Sequence, residues 1–182
     1  MQQKSDRNLL AIFWILLGTT LRVLPHPMNL TPMNSISLFG GAKLPRWKAL
    51  LVSLSALAFS DFLLAKLLGY PAFGIWSIFT YSGFAAIVLA GSFLKKNSSV
   101  SRTAGFLVGS SLGFWLWTNF GVWLLEGMYP HTGAGFIDCY VMALPFLRNA
   151  MIGDLVSGAI FFASYALAKK QVARLGFVVQ GA

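Results

Sequence analysis

A long and mostly apolar stretch from Ala134 to Lys169 constrains this chain more than any other feature. It is interrupted by Asp138, Arg148 and Asp154. A charged group at membrane depth costs at least ~2.5 kcal/mol, and such groups usually face a cavity or a partner rather than lipid. The stretch therefore predicts a membrane segment that carries polar groups for a reason, and it places a polar site inside the protein.

The composition as a whole is typical of an integral membrane protein. Apolar residues make up 57% of the chain and charged residues only 10%, whereas soluble domains carry roughly 25% charged residues. The 182 residues suffice for about six spans of ~20 residues with short loops. We therefore expect one integral membrane domain over residues 1–182, without a soluble domain. A single cysteine, Cys139, excludes an internal disulfide.

Charges, prolines and glycines divide the chain into six apolar segments. The expected spans are 8–23, 31–42, 49–68, 72–94, 103–125 and 135–168. The second is short for a ~30 Å membrane core. Thr31 followed by Pro32 is typical of an N-cap and first turn, and Gly40-Gly41 is typical of a helix end. Two interpretations stay open: a short helix whose positive end meets an anionic ligand group, and a plain thin or tilted span.

The basic residues form four small clusters, and this pattern sets the expected topology. With six spans all four clusters lie on one side of the membrane, and they hold eleven of the 14 basic residues. Those eleven are Lys4, Arg7, Lys43, Arg46, Lys48, Lys95, Lys96, Arg102, Lys169, Lys170 and Arg174. The opposite loops contain neither lysine nor arginine. We therefore expect both termini to be cytoplasmic. The net charge of +9 reflects topology, and no nucleic-acid partner is expected.

Embedded polar residues are displaced toward the outer side. Asp61 lies thirteen residues after Lys48, about 20 Å at helical rise. This asymmetry predicts a pocket that opens outward, because a continuous pore would also need polar groups at inner depth. The outer polar residues that we interpret as ligand contacts are Asn29, Asn34, Asp61, Asn119 and Arg148. The alternative is that these groups only fasten one helix to another, and Asp154 is interpreted as such a partner.

The fifth span has two distinct ridges. One ridge repeats every four residues and carries Gly105, Gly109, Gly113, Trp117 and Gly121. Small residues at this spacing let another helix approach closely. The opposite ridge carries Trp115, Asn119 and Trp123. One interpretation is an aromatic wall with one hydrogen-bonding group. In the other, the tryptophans anchor the helix at the outer membrane interface and Asn119 bonds a neighbouring helix.

Cys139 also permits two interpretations. It is either an apolar packing residue or a soft metal ligand or redox-sensitive thiol. No His/Cys/Glu spacing indicates a zinc or iron site held by the protein. Nucleophile–base pairs and glycine-rich phosphate loops are not indicated either. We therefore assign no catalytic residue and no intrinsic cofactor.

Three segments resemble a known family: Asn29–Ala42, Trp117–Phe120 and Cys139–Asp154. They are similar to small bacterial integral membrane proteins, which in turn resemble the substrate-binding S components of energy-coupling-factor vitamin transporters. The resemblance covers nearly the whole chain. It implies six helices, cytoplasmic termini, an outward-facing vitamin pocket and an energy-coupling module as a candidate partner. One departure is that the Ala-x-x-x-Ala motif of many S components is replaced by Ala11 and Ile15.

The cobalamin-binding BtuM group of S components suggests a ligand. Its members are solitary, and some use a cysteine to coordinate cobalt. By this resemblance His26, Asp61, Tyr81 and Arg148 fall where a pocket could draw polar contacts. Cobalamin is then the preferred ligand, bound as substrate, and Cys139 is a candidate cobalt ligand.

These inferences combine into one expected function. The chain is predicted to be an all-α, multi-pass protein of the inner (plasma) membrane, surrounded by lipid, that binds and takes up a vitamin-like molecule. The ligand enters from outside, contacts Arg148, Asp61 and Asn119, and stacks on Trp115 or Tyr81.

Two other functions stay open. One is an intramembrane enzyme that uses Cys139 or the carboxylates of Asp61 and Asp154. The other is a structural membrane subunit whose polar groups only hold helices together. Close carboxylates or an activated thiol would favour the enzyme, whereas polar groups that bond only across helix interfaces would favour the structural subunit.

Overall fold

A computed structural model of the chain describes residues 2–23, 31–69 and 71–179. The regular elements in these ranges are six α-helices: α1 (Gln2–Val23), α2 (Met33–Lys43), α3 (Arg46–Leu68), α4 (Ser77–Gly91), α5 (Val100–Leu125) and α6 (Gly133–Val179). A 3₁₀ turn, Ser92–Leu94, continues α4. The prediction of an all-α fold is confirmed for this part of the chain.

Three helical segments are long and apolar enough to cross a membrane: Arg46–Leu68, Ser77–Leu94 and Gly133–Gln171. The surface agrees with a lipid environment. Large apolar side chains such as Phe59 and Ile78 are 65% and 64% exposed, which a water-soluble protein avoids over large patches. These features are those of a helical membrane protein.

The short helix α2 lies at the centre and is enclosed by the other five helices. Every residue from Met33 to Ala42 is buried, and each of the other helices contacts α2. Its 11 residues extend only about 17 Å. Because neighbouring helices cover it on all sides, α2 shows no face to lipid. The predicted second span is thus a core element rather than a plain thin or tilted span.

Two glycines allow the backbones of α2 and α4 to touch. A Cβ on Gly41 would lie 1.9 Å from the carbonyl oxygen of Val88, and a Cβ on Gly91 would lie 2.2 Å from that of Leu38. Only glycine fits at such a distance. The interpretation of Gly40-Gly41 as a helix end is therefore wrong, because α2 continues beyond them and the glycines serve close packing.

Three predicted boundaries differ from the observed ones by more than four residues, and the first of them is the start of α1, at Gln2 rather than at residue 8. The fourth helix starts at Ser77 rather than at residue 72, because the chain first makes a turn at Gly74. The Ser77 N–H donates to the Gly74 carbonyl at 3.0 Å, and the Gly74 N–H donates to Ser77 Oγ at 3.1 Å. The sixth helix is longer than the predicted 135–168, and Pro145 lies inside it.

Candidate functional site

The ends of α1 and α3 and the start of α4 bring four polar side chains together. We call Arg22, Ser60, Asp61 and Tyr81 the ion-pair cluster. Arg22 Nη1 lies 2.6 Å from Asp61 Oδ1 and donates to Ser60 Oγ at 2.5 Å. The Tyr81 hydroxyl donates to Asp61 Oδ2 at 2.7 Å. Both carboxylate oxygens of Asp61 are thus engaged, one by a cation and one by a hydroxyl.

The ion-pair cluster is shielded but still reachable. The side chains of Arg22 and Asp61 are 18% and 15% exposed. A guanidinium has five N–H donors, and the contacts to Ser60 and Asp61 both use Nη1. Within the described ranges no other group accepts from Arg22, so its other N–H groups bond none of the described residues.

The structure brings two of the predicted ligand contacts, Asp61 and Tyr81, into this cluster. Arg22 was missed as a site residue. The available signal was that it is one of only three basic residues outside the four clusters. Asp61 pairs with Arg22, whereas Arg148, also predicted as a ligand contact, is exposed on α6. His26 and Asn29 lie outside the described residues.

A second polar cluster lies fully inside the protein. Asp154 on α6 is 1% exposed. Its Oδ2 accepts from Asn34 Nδ2 at 2.8 Å and from Ser111 Oγ at 2.6 Å. Its Oδ1 accepts from the backbone N–H of Ser35 at 3.3 Å. These four residues, the carboxylate cluster, tie α2, α5 and α6 together, as the packing interpretation of Asp154 expected.

The carboxylate cluster explains how α2 begins. The N-cap position is Pro32, and its side chain makes no capping bond; the prediction of Thr31 as N-cap is wrong. Asp154 supplies the missing negative group from another helix, at the positive end of the α2 dipole. The anion predicted there for a ligand is thus a side chain of the protein itself. Asn34, predicted as a ligand contact, is buried and bonds this carboxylate.

The remaining predicted residues lie where α5 meets α6. Trp115 Nε1 donates to the Ala143 carbonyl at 2.9 Å, and Asn119 Nδ2 donates to the Trp115 carbonyl at 2.8 Å. The Cys139 thiol is 2% exposed and lies 3.5 Å from the Asn119 carbonyl, to which it donates. The Trp115 and Cys139 bonds join α5 to α6, whereas the Asn119 side-chain bond stays within α5.

An elongated groove of about 910 Å³ lies between α4 and α5. We call it the α4–α5 groove. Small residues form much of its lining: Gly83, Ala86, Ala90, Gly105, Gly109 and Gly113. A Cβ on Gly105, Gly109 or Gly113 would meet no atom within 4 Å. The glycine ridge predicted to receive a helix is therefore open within the described part of the chain.

Comparison with known proteins places the chain in a family. Residues 2–175 match the model of a family described as a family of unknown function, DUF6580. The chain belongs to the DUF6580 family. No curated protein and no solved structure matches it. The ion-pair cluster, the carboxylate cluster and the α4–α5 groove all fall within the residues that match the DUF6580 model.

In this DUF6580 member Asp61 and Asp154 do not form a pair of carboxylates. Asp61 and Asp154 lie in different clusters with different partners. Among the residues that the structure describes, no three His, Cys, Asp or Glu side chains come together in a way that could hold a metal ion. The described residues therefore provide a partly exposed ion pair, a fully buried carboxylate and an apolar groove.

Proposed function

We propose that the protein is a membrane-embedded binding and uptake protein for a vitamin-like small molecule, with the ion-pair cluster as its polar contact. The observation that carries this proposal is the Arg22–Asp61 pair, which is partly exposed and held in place by Tyr81. Ionised groups inside membrane proteins are expensive and are usually retained for a substrate pathway or a partner. The Arg22 N–H groups that bond none of the described residues would make the pair a contact point for oxygen acceptors.

The proposed orientation has six spans with both termini on the cytoplasmic side of the plasma membrane. The positive-inside pattern of the four basic clusters supports it. Under this orientation α1 ends and α4 begins at the outer side. The ion-pair cluster then lies in the outer half of the protein, with Asp61 about 10 Å inward from the outer end of α3, where a ligand from outside could reach it.

The chemistry of the cluster favours a polar ligand with an aromatic or other flat part. Arg22 and Asp61 balance each other's charge, so a neutral or zwitterionic ligand adds no net charge to the site. Phe73 lies 6.2 Å from the Tyr81 ring, centroid to centroid and at an interplanar angle of 49°, so each ring separately offers a face on which a flat group could stack. Cobalamin stays the preferred ligand as a prediction from the resemblance.

Two features limit how uptake could proceed. Cobalt ligation by Cys139 would require α5 and α6 to separate, because the thiol is buried between them. Docking of an energy-coupling module would use a face other than the one around Ala11 and Ile15, since both side chains are fully buried. Opening of the α5–α6 interface is therefore part of the proposal wherever Cys139 is the ligand.

The proposal predicts that Tyr81→Phe weakens vitamin binding about tenfold, which corresponds to ~1.4 kcal/mol, because the Asp61 carboxylate loses the donor that orients it. Cobalamin, riboflavin and thiamin would each be added to detergent-purified protein. Binding would be measured as a change of absorbance and as a stoichiometric increase in native mass. Tyr140→Phe is the matched control, because that hydroxyl donates to the Leu116 carbonyl outside the cluster.

The outcomes separate binding from helix packing. Weaker binding by Tyr81→Phe at an unchanged melting temperature supports the ion-pair cluster as a ligand contact. Unchanged binding with a lower melting temperature in Tyr81→Phe and Asp61→Asn means that the cluster only fastens helices. If none of the three vitamins binds to the wild-type protein, the proposed ligand class is wrong.

A further inference from the structure

The α4–α5 groove has one basic end. Arg102 lines the groove, and its guanidinium lies 5.7 Å from the centroid of the Phe106 ring. One N–H of Arg102 donates to the Phe93 carbonyl at 3.3 Å. Lys95 lies two residues after Phe93 in the chain. Burial together with the charge of Arg46 lowers the pKa of Lys95. This end of the groove therefore offers a guanidinium with spare donors in a positively charged neighbourhood.

An unpartnered hydroxyl lies deeper in the groove. Ser110 lines it and is only 9% exposed. Across the described ranges Ser110 Oγ has no hydrogen-bond partner, although a hydroxyl in an apolar environment is unfavourable without one. Ser110 lies one helical turn beyond Phe106, about 6 Å along the axis. Ser110 lies eight residues beyond Arg102, about 12 Å along the axis. An occupant with an anionic group held by the Arg102 guanidinium and ester oxygens about two turns deeper would satisfy both groups.

The length of the groove matches one leaflet of a membrane. From Arg102 to Trp117 the lining extends fifteen residues, about 22 Å at helical rise, and half of a ~40–45 Å bilayer with its headgroup regions is about 20–22 Å. Beyond Trp117 the ridge is closed, because a Cβ on Gly121 would lie 2.5 Å from the Phe79 ring. The groove thus suits an acyl chain better than a partner helix, which would cross both leaflets.

A second copy of this chain is also a poor fit. Two copies with the same orientation in a membrane would place equivalent residues at the same depth. Arg102 would then face Arg102 of the other copy, and like charges at one depth repel. The positive end instead favours an anionic partner, and basic sites between membrane helices are suited to anionic lipid headgroups.

We infer that the α4–α5 groove binds an anionic phospholipid, with its phosphate at Arg102, its glycerol region along Gly105 and Gly109, its ester oxygens near Ser110 and an acyl chain along Gly113 toward Trp117. This inference does not depend on the proposed vitamin site. Only the assignment to the cytoplasmic leaflet rests on the proposed orientation, because it follows from the side on which the basic clusters lie. The glycines are then kept small to leave room for lipid.

The test is native mass measurement of the full chain after exchange into a membrane with equal amounts of phosphatidylglycerol and phosphatidylcholine of the same acyl chains. We expect a retained phosphatidylglycerol in the wild type. Gly109→Leu should lose it, because the new side chain fills the groove. Arg102→Gln should reduce the preference for phosphatidylglycerol about fivefold, as expected for one cation near a lipid surface.

Matched controls are Gly133→Leu, at a glycine whose Cβ position is also open but which lies outside the groove, and Lys48→Gln, at a cation outside the groove. Both should retain the lipid as the wild type does. Equal retention in Gly109→Leu or an unchanged preference in Arg102→Gln overturns the inference. The inference is also overturned if the wild type co-purifies with a polypeptide, or forms a dimer, and Gly109→Leu abolishes that association. Because Arg102 is exposed, we expect Arg102→Gln to fold. Its lipid preference therefore tests the inference even if Gly109→Leu does not fold.

Discussion

Asp154 is a buried carboxylate that has no cationic partner within the described ranges. Three donors surround it instead: the Asn34 amide, the Ser111 hydroxyl and the Ser35 backbone N–H. Hydrogen bonds of this kind, together with the positive end of α2, can hold a carboxylate in an apolar interior. The same residue thus caps α2 and connects three helices.

Replacing this carboxylate should cost much of the stability of the fold. In Asp154→Leu the three donors lose their acceptor, and each buried unsatisfied donor costs about 1–3 kcal/mol. We expect a loss of ~2 kcal/mol or more in the free energy of unfolding, measured from helical circular dichroism during titration with a denaturing detergent. Ser164→Ala is the control on the same helix, because that hydroxyl bonds only its own helix. Equal stability of the two variants would contradict the capping role.

At the scale of the element, the contact between α2 and α4 depends on glycine. Gly41 faces the Val88 carbonyl at a distance that leaves no space for a methyl group. By contrast, Gly105 on α5 has open space at its Cβ position. The two glycines therefore serve opposite purposes, one to bring backbones together and one to leave a surface open.

This contrast predicts opposite effects for the same substitution. Gly41→Ala should lower the free energy of unfolding by about 1–3 kcal/mol, since the helices must move apart. Gly105→Ala should be neutral or slightly stabilising, because alanine favours helix and meets no neighbour. Thermal unfolding of both variants in the same detergent checks the pair. A similar loss in both would mean that the α2–α4 contact is not as close as described.

The sequence predicted the helices well because apolar runs and their boundaries are local signals. It could not predict that α2 is enclosed, since that depends on where five other helices pack. The start of α4 was missed because the Gly74–Ser77 turn lies in an apolar stretch. In the site, Asp61 and Tyr81 were found as rare polar groups, whereas the contact of Arg22 with Ser60 joins positions 38 residues apart, which no local pattern encodes.

At the scale of the whole molecule, the six-span orientation makes a direct prediction. In a Cys139→Ala background, Met128→Cys between α5 and α6 should react with a membrane-impermeant maleimide in intact cells. Asn97→Cys between α4 and α5 should react only after the cells are permeabilised, because the basic clusters hold that loop inside. Both positions are exposed, so burial does not explain a failure to react. If Asn97→Cys reacts in intact cells and Met128→Cys reacts only after permeabilisation, the orientation is opposite to the proposed one.

The enclosure of α2 also has a consequence for biosynthesis. Asn34 lies 120 residues before Asp154, and a ribosome adds about 5–20 residues per second. The start of α2 therefore waits about 6 to 24 s for the carboxylate that caps it. During that interval a short helix with uncovered polar groups must be shielded by the insertion machinery or by early neighbours. The cap of α2 is therefore completed only after α6 has been made.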